Sequence, residues 1–241
     1  AIGSNGGDAI TTADRNIAIG VDALKVHTTG VNNIAIGFGA MDDTDAGSTS
    51  LGSVENIFIG VDSGGGTWAD VASNYNIGVG SYTMEAAMNG ALNNTAVGYQ
   101  ALRALTAGDN NVAVGKDSLN QITTGANNVA IGASALGTAT TAASNVFIGK
   151  GAGSAIPAGQ ALASCVAIGI NAFNGAGGTT NDAVGTIAIG DSACFELTTG
   201  IGNVAIGYQA LDAEDDGDYN TAIGYQALTA QTGTTGTVAN T

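Results

Sequence analysis

One motif, repeated along the whole chain, constrains this sequence more than anything else in it. Asn16-Ile-Ala-Ile-Gly20, Asn33-Ile-Ala-Ile-Gly37, Asn111-Val-Ala-Val-Gly115, Asn128-Val-Ala-Ile-Gly132, Asn203-Val-Ala-Ile-Gly207 and Asn220-Thr-Ala-Ile-Gly224 are copies of it. Numbered by the final Gly, the thirteen copies end at Gly3, Gly20, Gly37, Gly60, Gly80, Gly98, Gly115, Gly132, Gly149, Gly169, Gly190, Gly207 and Gly224. Nearly all steps between them are 17 residues or slightly more, the longest being 23. Self-similarity at a short fixed period is the signature of stacked repeats.

Each position in the motif has a physical reading. The residue before the Gly is Ile or Val in every copy, and the residue two places earlier is Ile or Val in ten of twelve. β-Branched residues at period two predict a strand, and these residues are expected to face inward. Between them stands Ala, or Phe58, Phe147 or Gly78. A small apolar residue on the opposite face suits close approach of another chain, or of another wall of the same coil. The fourth place before the Gly is Asn in ten copies: Asn16, Asn33, Asn56, Asn76, Asn94, Asn111, Asn128, Asn145, Asn203 and Asn220; Cys165 and Thr186 replace it in two. A column of Asn fits a stacked amide ladder or a corner that tolerates left-handed geometry. A column of Gly fits a corner needing positive φ or close backbone approach.

After the Gly comes a second short segment, as in Tyr99-Gln-Ala-Leu102, and then a polar turn such as Thr123-Thr-Gly125. The unit therefore reads as strand, Gly corner, strand, turn. Two or three buried aliphatic side chains contribute about 1.5–3 kcal/mol each. Fixing 17 backbones costs roughly 1–2 kcal/mol per residue, so no unit stands alone and coils must stack. The expectation is an all-β parallel β-solenoid of about 13 coils, residues 1–241 forming one repeat domain. At the parallel-strand spacing this gives a rod of roughly 60 Å. The longer steps place insertions near 42–55, 65–73, 154–164 and 174–185, on one edge.

These units resemble the YadA-like head repeats of trimeric autotransporter adhesins. They also resemble the Asn-Thr-Ala-Ile-Gly-Tyr-Gln-Ala-Leu arrays of phage tail fibres, here at Asn94–Leu102 (with Val for Ile) and Asn220–Leu228. The resemblance implies a left-handed β-roll, a homotrimer about one axis, and a role in extracellular attachment on a virion or cell surface. With that guidance Ala35, Ala113, Ala130 and Ala205 are expected near the contact between chains. The units here are longer than is usual for such heads, and no coiled-coil stalk is visible.

Charge excludes other classes. Twenty acids against five scattered bases give a net charge of −15, which would repel nucleic acid and anionic membrane surfaces. No apolar run approaches the roughly 18 residues of a membrane span. Cofactors are not expected, with Ca²⁺ the one candidate ion. Asp212, Glu214, Asp215, Asp216 and Asp218 form an acidic segment that reads either as a Ca²⁺ loop or as a solvated turn; Asp42, Asp43 and Asp45 are a lesser candidate. Cys165 and Cys194 fall in different columns and are expected as free thiols, Cys194 buried. His27, the only His, has no nucleophile or second ligand beside it in the sequence. Trp68 and Tyr75 would stack on sugars or pack on their own coil. Asn93-Asn-Thr95 is an isolated glycosylation sequon. Gly200–Ala205 and Gly149-Lys150 only superficially match nucleotide motifs.

The leading expectation is a non-enzymatic structural fibre or filament, with itself as partner and a cell-surface glycan or protein as a candidate receptor. The alternatives are a tailspike-like polysaccharide depolymerase, which needs paired carboxylates in an aromatic groove, and an ice-binding solenoid, for which Thr ladders are too few. The opening Ala1 without Met suggests a processed product or fragment. Joined end to start, Ala239-Asn-Thr241 and Ala1-Ile-Gly3 complete a motif, so a head-to-tail filament of 241-residue units is a further expectation.

Overall fold

In the computed structural model, residues 1–44, 52–68, 71–160, 162–175, 183–214 and 216–229 are described, and they contain no helix. The motif copies form twelve three-residue strands: β1 (Ile17–Ile19), β2 (Ile34–Ile36), β3 (Ile57–Ile59), β4 (Ile77–Val79), β5 (Thr95–Val97), β6 (Val112–Val114), β7 (Val129–Ile131), β8 (Val146–Ile148), β9 (Val166–Ile168), β10 (Ile187–Ile189), β11 (Val204–Ile206) and β12 (Thr221–Ile223). Two compact units divide them, Ala1–Thr124 with β1–β6 and Gly125–Thr241 with β7–β12. Within each unit, successive strands pair parallel and in register. In the first unit Ile17, Ala18 and Ile19 lie opposite Ile34, Ala35 and Ile36. In the second, Ile187, Ala188 and Ile189 lie opposite Val204, Ala205 and Ile206. The fold is the expected all-β parallel β-solenoid with a 17-residue base period. Eleven turns join the twelve strands, fewer than the thirteen coils expected. The first copy has only two residues before Gly3, and Ile2 makes a single bridge to Ile19.

The expected facing of the strands is reversed. The middle residue of every strand is buried, while the flanking Ile and Val are half-buried or exposed. The core is built from that middle column together with the third and fourth residues after the Gly in most coils, such as Ala101 and Leu102, both at 0% exposure. A further core position follows at Leu105, Ile122, Ala139, Ile156 and Leu197. A short coil encloses a narrow interior, and Ala fits where an inward Ile would overfill it.

Two coils confirm this arrangement by exchange of volume. Phe58 and Phe147 replace the middle Ala in the very coils where Gly64 and Gly153 replace the Leu. A Cβ on Gly64 would meet the Phe58 ring at 2.9 Å, and one on Gly153 would meet the Phe147 ring at 2.5 Å. The ring thus fills the space that Leu fills elsewhere. Phe147 stacks on Phe173 of the next coil, centroids 6.0 Å apart, and Phe58 meets Trp68 edge-on at 5.9 Å.

The second segment of the unit is not a strand. The second and fourth residues after the Gly are left-handed, for example Gln100 (φ 57) and Leu102 (φ 53), or Ser192 (φ 56) and Cys194 (φ 51). Their N–H groups point to opposite neighbours. Gln100 N donates to Ser81 O of the preceding coil at 3.0 Å, and Leu102 N donates to Ser118 O of the following coil at 3.0 Å. Left-handed geometry costs an ordinary residue roughly 1–2 kcal/mol. Here it lets the coil bond in both directions along the stack, which satisfies these backbone donors.

At the Gly corner φ runs near +135°, a region open to Gly alone. The next coil also passes directly over it: a Cβ on Gly132 would lie 2.5 Å from Gly149 O. The other corner is turned by the residue before the Asn, as at Glu55 (φ 59) and Asn93 (φ 60), and not by the Asn itself. The Asn column is the amide ladder. In the first unit Asn56 Oδ1 accepts from Asn76 N at 2.9 Å and Asn76 Nδ2 at 3.2 Å, and Asn76 Oδ1 accepts likewise from Asn94. In eight of these Asn residues, from Asn16 to Asn203, Nδ2 also donates to a turn carbonyl one coil on, as Asn76 does to Ala91 O at 2.9 Å. In the second unit Asn145 bonds Asn128 and Asn220 bonds Asn203 in the same sense.

Candidate functional site

The inward Ala leaves an aliphatic outer face, and that face is the candidate site. Flanking strand residues such as Ile17 (46% exposed), Val97 (37%) and Ile131 (39%) project from it. Register stacks them into two columns within each unit. Across all twelve strands these columns hold Ile, Val and two Thr, with no charged residue, in a chain of net charge −15. Parallel sheets are ordinarily covered on both faces, and large uncharged apolar patches on a protein surface mark interaction sites. In the first unit exposed apolar residues continue past the Gly corner at Val21, Phe38 and Val61. In the second, Tyr208 and Tyr225 occupy that place and stack at 5.3 Å.

The contact expected at Ala35, Ala113, Ala130 and Ala205 is therefore corrected. All four are at 0% exposure inside their own coils, where Ala fits a narrow interior and offers no surface for a contact. The facing was detectable in the sequence, because the paired Phe58/Gly64 and Phe147/Gly153 exchanges place the middle residue beside the Leu column.

The acidic segment acts locally. Asp218 Oδ1 accepts from Ile201 N at 2.7 Å across one coil, and Glu214 Oε1 accepts from Gly217 N at 2.7 Å. Glu214 is fully buried, seventh after its Gly, a place held in other coils by Leu105, Ile122, Ala139, Ile156 and Leu197 and by the polar His27 and Thr44. Asp215 lies outside the described residues. Among the described residues, no three His, Cys, Asp or Glu side chains converge to hold a metal ion. Of the lesser group, Asp45 lies outside the described residues, and Asp43 Oδ2 accepts from Thr67 Oγ1 at 2.6 Å. Burial, then the neighbouring Asp43 and Asp62, raises the Asp42 carboxyl to about 6.

The remaining candidates have structural places. His27 is fully buried: Asn33 Nδ2 donates to its Nε2 at 3.2 Å, so Nδ1 carries the proton toward Thr44 Oγ1 at 2.9 Å. Both cysteines are free and buried. Cys165 takes the Asn place, its N donating to Asn145 Oδ1 and its Sγ to Ala183 O at 2.9 Å. Burial pushes the Cys165 thiol up to about 11 and raises Cys194 further. Trp68 is core, 1% exposed, with Nε1 donating to Gly64 O at 3.1 Å. Tyr75 is 49% exposed. Asn93 is exposed at its left-handed corner. Gly149 is a repeat corner, and Gly200–Ala205 runs into β11, so neither belongs to a nucleotide loop. Parts of the four insertions (45–51, 69–70, 161 and 176–182) lie outside the described residues. Among the described residues, no helix is long and apolar enough to cross a membrane. No family model, no characterised protein and no solved structure matches this chain.

Proposed function

We propose that this chain is a structural element of an extracellular fibre, on a virion or a cell surface, and that it self-associates through its outer Ile/Val face. The observation that carries the reading is the absence of charge from both outward columns in all twelve strands, although the chain is strongly acidic. A solvated face would have tolerated acids there. At roughly 60 Å² of exposed surface per side chain, the twelve outward residues of one unit offer about 700 Å², close to the ~800 Å² per partner of a standard interface. A second copy is the favoured occupant because it carries the same axial repeat, coil for coil. Three chains about one axis is the arrangement that the adhesin and tail-fibre resemblance implies.

Two substitutions at neighbouring positions test this. Ile131→Asp places a charge on the outer column and should yield folded monomer by light scattering, with an unchanged circular dichroism spectrum. Ala130→Arg forces a charge into the core and should unfold the protein. A wild-type chain that is monomeric at tens of micromolar, or an Ile131→Asp variant that assembles like wild type, would refute self-association through this face.

A further inference from the structure

Tyrosine stands immediately after the corner Gly at Tyr99, Tyr208 and Tyr225, and only the last two fall in successive coils. Backbone bonds fix that pair. On either side of Tyr225, Gly224 N donates to Ile206 O and Gln226 N donates to Tyr208 O, both at 2.8 Å. Beside the rings, Gln226 Nε2 donates to Gln209 Oε1 at 2.9 Å. Parallel coils lie about 4.8 Å apart, a spacing inside the range at which aromatic rings stack. The two phenol rings accordingly stack, 5.3 Å between centroids and 12° from parallel. Rings so placed bring the carbons ortho to the two hydroxyls beside one another. Tyr82 and Tyr99 meet differently, at 86°, with the edge of one ring against the face of the other.

Exposure decides what such a pair can do. Tyr208 is 44% exposed and Tyr225 74%, so both rings meet solvent and have room to turn. The other readily oxidised side chains are shut away: Cys165, Cys194, Met41, Met84 and Met88 are at 0% and Trp68 at 1%. Oxidation follows exposure, so an oxidant confined to solvent meets tyrosine first.

We infer that Tyr208 and Tyr225 are an oxidative cross-linking site, joined as dityrosine by a peroxidase-type one-electron oxidant that draws on hydrogen peroxide. Each phenol gives up one electron and its hydroxyl proton. The two phenoxyl radicals pair to form one carbon–carbon bond between ortho positions, and the hydrogens on those carbons pass to the oxygens as the rings regain aromaticity. Hydrogen peroxide takes the two electrons and two protons and leaves as two waters. The product is a covalent strut between the coils of β11 and β12, which backbone hydrogen bonds and packing otherwise hold together. The site lies within one chain, requires no assembly and does not rest on the fibre reading.

The test treats the intact chain, dilute and at low salt, with a haem peroxidase and limiting hydrogen peroxide. Digestion then uses a protease that cuts at Asp and Glu, five of which lie between the two tyrosines. The expected product is a monomer lighter by two hydrogens, with dityrosine fluorescence and one cross-linked peptide pair carrying Tyr208 and Tyr225. Held rings react at high effective concentration, so Tyr208→Phe should lower the intramolecular yield about tenfold or more, with an unchanged circular dichroism spectrum. Ile131→Asp should cross-link like wild type, and the preference for this pair should disappear in urea. No cross-link, coupling spread over the six tyrosines of the folded chain, coupling only between chains, or an undiminished yield in Tyr208→Phe overturns the site. Loss of the cross-link in Ile131→Asp overturns its independence from assembly, and the same preference in urea overturns the role of the stacked rings.

Discussion

At the scale of single residues, two glycines separate backbone strain from steric exclusion. Gly132 (φ +135°) lies under Gly149, with no room for a Cβ, whereas Gly159 (φ +83°) has nothing within 4 Å. Gly132→Ala is expected to cost about 3 kcal/mol or more, strain and clash together, and Gly159→Ala about 1 kcal/mol, in urea unfolding. Asp42 gives a pH signature of opposite sign to a paired carboxylate. Its folded pKa is raised from 3.8 to about 6, so the folded state holds the proton more tightly than the unfolded state. Stability from this group is full below about 3.8 and is lost as pH rises toward 6. Asp42→Asn should therefore raise the melting temperature at pH 7, with the gain over wild type vanishing near pH 4. A variant whose gain is equal at both pH values would show that Asp42 carries no such burden.

At the scale of the coil, the paired exchanges predict a rescue. Phe147→Ala should cost about 3–5 kcal/mol by leaving a cavity beside Gly153. Adding Gly153→Leu should restore much of it, because Leu occupies that left-handed position in other coils, as at Leu136 (φ 48) and Leu211 (φ 55). Chemical denaturation of the single and double variants reads this directly, and simple additivity of two losses would contradict shared volume. The same coil shows what could be read from sequence. The three-residue strand, the Gly corner and the Asn ladder follow from local periodicity, and each is present. The facing was misread because hydrophobicity ranks Ile above Ala for burial. In a narrow coil, volume decides instead, and only a volume argument joining Phe147 to Gly153 reveals it. The left-handed second segment was invisible for another reason: Leu and Gln carry no positive-φ signal, and inter-coil hydrogen bonds impose that geometry.

At the scale of the whole chain, two forces oppose one another during the proposed assembly. The outer columns are uncharged and apolar, so their burial drives association and is little weakened by salt. Each chain also carries a net charge of −15, and copies brought side by side repel. Only the repulsion is screened: the Debye length falls from about 30 Å at 0.01 M salt to about 3 Å at 1 M. Association should therefore strengthen with ionic strength, the reverse of an assembly held by ion pairs. Acidification toward the sequence pI of about 4.1 should act in the same direction. Ile131→Asp should remain dissociated at salt concentrations that fully assemble wild type, since screening cannot restore the lost apolar contact. Sedimentation velocity measures all three outcomes, across a sodium chloride series for wild type and Ile131→Asp and across a pH series for the acidification. Assembly that weakens with added salt would place the contact on polar groups, away from the Ile/Val columns.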